Sequence, residues 1–163
     1  MNGAASRPTV RMANLADESA TVELARRIAG LARAGDVIAL AGDLGVGKTR
    51  FARAFIGALT GDREEVPSPT FTLAQTYESS AGTIWHFDLY RLSRPAEAYE
   101  LGIEDAFVDG IALIEWPERM QQLLPSQRLD VALSFADAAD ARAVRLTGHG
   151  DWSQRVQELF PDG

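Results

Sequence analysis

Residues 36–59 read DVIALAGDLGVGKTRFARAFIGAL, and the order of their properties decides the fold. Asp36–Ala41 is apolar after its first residue and too short for a helix, which predicts a strand buried on both faces. Gly42-Asp43-Leu44-Gly45-Val46-Gly47-Lys48-Thr49 then fills every fixed position of G-x-x-x-x-G-K-[ST]. Phe51, Ala52, Phe55, Ile56 and Leu59 follow as one apolar helical stripe, and Gly61 stops it. Strand, glycine-rich turn and helix, in that order, form the context this motif requires.

The spacing has a chemical reason. Glycines let the backbone turn tightly, so that the N–H groups of Asp43, Leu44, Gly45, Val46 and Gly47 can converge on phosphate oxygens. The helix that follows adds its positive N-terminal end. Lys48 supplies a mobile charge for β- and γ-phosphates, and Thr49 a hydroxyl for Mg²⁺. The implied ligand is a nucleoside triphosphate.

Outward from this unit, Thr9–Ala13 predicts a strand, and Asp17-Glu18-Ser19 opens a helix that runs to Leu31. Phe71–Tyr77 and Thr83–Tyr90 predict a hairpin across the turn Glu78–Gly82. Pro95–Leu101 reads as a short helix. Ile111–Ile114 reads as a second buried strand ending in Glu115, Leu129–Phe135 and Ala143–Thr147 as late strands, and Asp151–Phe160 as a C-terminal helix. The sum is an α/β fold, a single domain over residues 1–163 with a mixed, mainly parallel sheet flanked by helices and a tail at 1–8. There is no internal repeat.

Composition narrows the function. The chain of 163 residues is 46% hydrophobic and 24% charged, as globular proteins are. It has no Cys and two His, which excludes thiolate chemistry and a His-rich metal site. A net charge of -7 argues against a direct grip on nucleic acid. No apolar run is long enough to span a bilayer and no signal peptide is visible, so the expected location is the cytoplasm.

A phosphate loop needs an acid near its metal, commonly at the end of a buried strand. Glu115, after four apolar residues, is the first candidate, and Asp88, after Trp85-His86-Phe87, the second. Trp116-Pro117 stands where it can flank a nucleotide. His86 reads as a strand-face residue supporting others rather than as a base, and His149 as a turn residue. Ser68-Pro69-Thr70 lies where a switch loop would fall, with Thr70 on the metal or γ-phosphate side. Arg91 and Arg94 are scattered cations.

Asn2 and Asn14 are the chain's asparagines, and both precede the loop, so the Asn-Lys-x-Asp reader of guanine is absent. A small-molecule kinase would be expected to carry an Arg-rich lid; here no Lys follows Lys48 and no tight Arg cluster appears. An ATPase subunit that acts on a protein partner needs neither feature. That leaves the ATPase subunit ahead, with the kinase as the alternative.

At this point Gly42–Thr49, Ser68-Pro69-Thr70-Phe71-Thr72, His86-Phe87-Asp88-Leu89-Tyr90-Arg91 and Ile114-Glu115-Trp116-Pro117-Glu118-Arg119 stand in the order and spacing of one family. The chain, from about residue 15 to about 135, resembles TsaE, formerly YjeE, the small ATPase of bacterial tRNA threonylcarbamoyladenosine biosynthesis. Arg50 departs from it, standing where the family often has Thr. The resemblance implies a single P-loop ATPase domain that hydrolyses ATP with Mg²⁺, slowly alone and faster with its partners TsaD and TsaB, and that meets tRNA only through them. It implies that Lys48 and Thr49 bind phosphate and Mg²⁺, that Glu115 completes the metal site, and that Thr70 and Asp88 line it. Trp116 would lie by the nucleotide, and Glu18 on the adenine side.

Overall fold

The computed structural model describes residues 7–61 and 73–160. The chain runs β1 (Thr9–Leu15), α1 (Glu18–Leu31), β2 (Val37–Ala41), α2 (Lys48–Thr60), β3 (Ala74–Ser79), β4 (Gly82–Asp88), α3 (Glu97–Glu100) and α4 (Ile103–Asp109). It closes with β5 (Ile111–Glu115), tight 3-10 turns over Pro117–Leu123, β6 (Leu129–Phe135), β7 (Arg142–Gly148) and α5 (Trp152–Leu159). The seven strands form one sheet in the order β1-β7-β6-β2-β5-β4-β3. Its inner strands β6, β2, β5 and β4 are parallel, and antiparallel pairs extend both edges.

Side-chain alternation explains why the sheet is covered on both faces. Ile38 and Leu40 of β2, with Ile111 and Leu113 of β5, face a core shared with Leu24 and Ile28 of α1, Phe51 and Phe55 of α2 and Val156 of α5. Val37, Ala112 and Ile114 face the opposite core, built with Phe87, Ile103 and Ala106. Strands with two buried faces read as continuous apolar runs, which is what β2 and β5 do.

The helix ends follow their sequences. Asp17 caps α1, its carboxylate accepting the Ala20 N–H at 2.9 Å. Gly61, at φ 76°, closes α2 in the left-handed conformation. At the entrance of β2, Asp36 receives a bidentate pair from Arg155 of α5, at 2.7 and 2.8 Å. Arg155 also donates to the Leu31 carbonyl at 2.9 Å, so this one guanidinium ties the last helix to the first helix and to the core strand.

Several boundaries differ from the sequence expectation. The hairpin is tighter: Ser79 pairs with Gly82, leaving Ser80-Ala81 as its loop in place of five turn residues. The Ser79 hydroxyl donates to the Gly82 carbonyl at 2.7 Å and accepts the Ala81 N–H at 3.2 Å, which extends order into the turn. Strand β3 spans Ala74–Ser79, and Leu73 just before it has φ 65°, which is not extended backbone; Phe71 and Thr72 of the expected strand lie outside the described residues. The helix expected over Pro95–Leu101 is the single turn α3, and α4, which follows Gly102, was not read from the sequence. It is shorter than the window over which a helical period is read.

Candidate functional site

The site forms where the parallel strands end. In open α/β sheets the space beyond the strand C-termini is where ligands bind. There Leu40 of β2 lies beside Glu115 of β5, and Glu115 beside Asp88 of β4. A cavity of about 330 Å³ opens over these ends and over the head of α2, with Lys48, Thr49, Asp88, Glu115 and Trp116 in its wall.

The glycine-rich turn is held from behind. Gly42 has φ 144°, and a Cβ there would come within 2.6 Å of the Leu133 carbonyl oxygen. Gly47, at φ 118°, starts α2 with no side-chain cap, so the first N–H groups of that helix face the cavity end without one. Lys48 is 5% exposed and folds back over the turn. Its Nζ donates to the carbonyls of Gly42 and of Asp43, the latter at 3.1 Å, and lies 3.9 Å from the centre of the Trp116 ring. Burial pushes the ammonium below the ordinary lysine value, while Glu115, Glu118, Asp88 and Asp43 pull it back up.

Both candidate acids are buried in this wall. Glu115 meets the head of α2: Thr49 Oγ1 lies 3.0 Å from its Oε1 and 3.2 Å from its Oε2. Asp88 accepts the Tyr90 N–H at 3.1 Å, which turns the chain out of β4. A hydroxyl beside a carboxylate offers the hard oxygen ligands that Mg²⁺ prefers. Among the described residues no group of three or more His, Cys, Asp or Glu is placed to hold a metal. A cation between Thr49 and Glu115 would therefore complete its shell with water and ligand phosphate, the usual arrangement for Mg²⁺ beside a nucleotide.

Around this centre, Trp116 has φ 61°, a left-handed conformation unusual for a large side chain. It packs at a tilt on Tyr90, ring centroids 4.9 Å apart. Glu18, at the start of α1, pairs with Arg50 at 3.0 Å on the rim. Arg50 thus places a cation against the residue expected on the adenine side. Leu44 is exposed at the tip of the turn. Thr70 and the Ser68–Thr72 segment lie outside the described residues. Arg94 pairs with Glu97 at 3.8 Å, and among the described residues neither it nor Arg91 lines the cavity. His149 bonds Asp130 at 2.9 Å, at the opposite end of the sheet.

Sequence reasoning read His86 as a supporting strand-face residue without naming what it supports, and it did not find Arg142. His86 is fully buried, and its Nε2 lies 2.7 Å from Glu115 Oε2. Arg142, at the start of β7, lines the same cavity and donates from Nε to the Val46 carbonyl at 2.8 Å, so it braces the glycine-rich turn. Nothing in the sequence signals Arg142, which lies 96 residues away along the chain. The alternation His86-Phe87-Asp88 was a usable signal for His86, because it puts residues 86 and 88 on one face.

The fold and site define an α/β protein with a glycine-rich strand-to-helix turn facing a buried carboxylate. Residues 15–144 match the family described as "Threonylcarbamoyl adenosine biosynthesis protein TsaE", and the chain belongs to that family. It is 41% identical over 143 residues to the tRNA threonylcarbamoyladenosine biosynthesis protein TsaE of Rickettsia conorii, covering 88% of this chain and 82% of that one. To the Bacillus subtilis protein of the same description it is 36% identical over 132 residues, covering 80% and 81%. The crystal structure of YdiB from Bacillus subtilis superposes with a TM-score of 0.78 at 27% identity, covering 94% of this chain and 95% of that one.

Proposed function

We propose that this chain binds and hydrolyses ATP with Mg²⁺ and so supports the TsaD–TsaB complex, which threonylcarbamoylates the adenosine next to the anticodon of tRNA. The observation that carries this reading is the meeting of Thr49 with Glu115 beneath Lys48, at the head of a helix whose N–H groups have no side-chain cap. Family membership supplies the pathway. The net charge of -7 favours contact with tRNA through partners. Among the described residues no helix is long and apolar enough to cross a membrane, and the proposed location is the cytoplasm.

In this reading the backbone of Asp43–Gly47 cradles the phosphates. Lys48 leaves the Gly42 and Asp43 carbonyls to neutralise β- and γ-phosphate. Thr49 and Glu115 would hold Mg²⁺, which would supply charge neutralisation at the phosphates. Asp88 and Thr70 line the reacting side, Trp116 covers Lys48, and Glu18 faces the adenine. No described residue stands out to position the attacking water. Turnover of the chain alone is therefore expected to be slow, with partners raising it by roughly 10³-fold, as trans-acting groups do in other NTPases.

The test is ATP turnover of the purified chain with and without TsaD–TsaB, beside Glu115→Ala. Partner stimulation that disappears in the variant supports the reading. An unchanged rate with the partners, together with a small metabolite that becomes phosphorylated, would replace it with a kinase.

A further inference from the structure

Glu115 is held from two sides, and the two contacts differ in what they fix. Thr49 Oγ1 lies at nearly equal distances, 3.0 and 3.2 Å, from the two carboxylate oxygens, so it does not distinguish them. His86 Nε2 does, at 2.7 Å from Oε2. An ionised carboxylate only accepts hydrogen bonds, so this contact takes the imidazole N–H at Nε2. Oε2 thereby takes the imidazole hydrogen bond, and Oε1 is left without it.

Packing alone does not explain a histidine at this position. Its side chain is fully buried, and Nδ1 finds no hydrogen-bond partner among the described residues. An apolar side chain of similar size would fill the space without an unmatched Nδ1, and the one thing it would lose is the hydrogen bond to Glu115. The strands themselves also do not need it. The parallel register sets His86 beside Leu113 and Asp88 beside Glu115, so the backbone ladder is complete whatever residue 86 carries. What the ring adds is a rigid donor, without a long flexible stem, aimed at one oxygen of Glu115.

We propose that His86 is a positioning residue: through its Nε2–H it locks the carboxylate plane of Glu115 so that one defined oxygen is presented, with the Thr49 hydroxyl, to a divalent cation. This rests on the proposed role of Glu115 in holding Mg²⁺, and it adds that the cation site is set by a side chain that touches neither metal nor nucleotide. Partners that orient metal ligands in this way commonly change metal affinity by 10–100-fold when removed.

The experiment compares wild type, His86→Leu and His86→Gln, whose amide nitrogen can stand near the lost Nε2. Three quantities are measured: ATP affinity in excess EDTA, affinity of the protein–nucleotide complex for Mn²⁺ by electron paramagnetic resonance, and the Mg²⁺ concentration giving half-maximal turnover. The leucine variant is expected to keep its EDTA affinity within about threefold while Mn²⁺ affinity falls about 10–100-fold. The glutamine variant is expected to recover most of that loss. Should the leucine variant fail to fold, His86→Met takes its place. Wild-type Mn²⁺ affinity in the leucine or methionine variant overturns the proposal. So does an equal loss of affinity with and without metal, which marks a packing role, or a glutamine variant no better than the leucine one. If the wild-type complex itself takes up no Mn²⁺, the reading of Glu115 fails first, and that outcome is visible without any variant.

Discussion

Replacing Lys48 by methionine is expected to move ligand affinity and stability in different directions. The ammonium is buried and already occupied, on the Gly42 and Asp43 carbonyls and on the Trp116 ring. Two phosphate charges at about 4 Å would each contribute about 4 kcal/mol at an effective dielectric of 20. Leaving two charge-assisted hydrogen bonds and the ring face costs about 4 kcal/mol of that gain. The net, about 4 kcal/mol, is roughly a thousandfold in affinity. Stability obeys a different balance, because burial disfavours the ammonium in the folded chain. Methionine keeps the apolar stem without that penalty, so the urea midpoint at neutral pH is expected to hold or rise. The pH dependence has a definite sign. With the folded value below 10.5, the unfolded chain binds more protons in the interval between the two values. Wild type should therefore gain stability relative to the variant as pH climbs through that interval, and the difference should be flat below it. Calorimetric titration with ATP, and urea unfolding at neutral and alkaline pH, read both quantities. Affinity within threefold of wild type would refute the phosphate role. A clear fall in the midpoint would show that Lys48 is a net structural support.

Gly42→Ala should lower stability by about 2–5 kcal/mol in urea unfolding, since the new Cβ meets the Leu133 carbonyl and Val46 in a backbone conformation that L-residues avoid. Asp36→Ala leaves the Arg155 guanidinium buried without its carboxylate, and a loss of about 3–5 kcal/mol is expected by the same measurement. Arg142→Ala removes the brace on the Val46 carbonyl; ATP affinity should fall about fivefold, equivalent to about 1 kcal/mol, with the unfolding midpoint little changed. Guanine should not be preferred: competition by GTP no stronger than by ATP is expected, because the Asn-Lys-x-Asp segment is missing.

The centre of this molecule was legible because its physics is local. Four apolar residues before Glu115 announce a doubly buried strand, and the sheet places that carboxylate where the loop threonine can reach it. The glycine-rich turn declares itself in eight consecutive residues. The periphery was less legible because its contacts join distant stretches. Arg142 on Val46 and Arg155 on Asp36 depend on which distant elements become neighbours, and no local period reports that. Helix α4 escaped for a different reason: seven residues with buried Ile103 and Ala106 are stabilised by what they pack on rather than by their own pattern. His86 was legible as a supporting residue, but its partner was not, since that lies in the 2.7 Å to Glu115 and not in its neighbours along the chain.

The pairing of β1 with β7 has a consequence for how the protein is made. Thr9 lies opposite Gly148, and Leu15 opposite Arg142. During synthesis the first strand emerges long before the partner it will join. At 5–20 residues per second, it waits on the order of ten seconds while the central parallel strands are still being delivered. In that interval β6 also lacks the neighbour that covers its outer edge in the finished sheet. Ribosomes that stall shortly before residue 142 would therefore release chains that have the glycine-rich turn but a sheet with one edge open and an unpaired leading strand, a form suited to capture by chaperones.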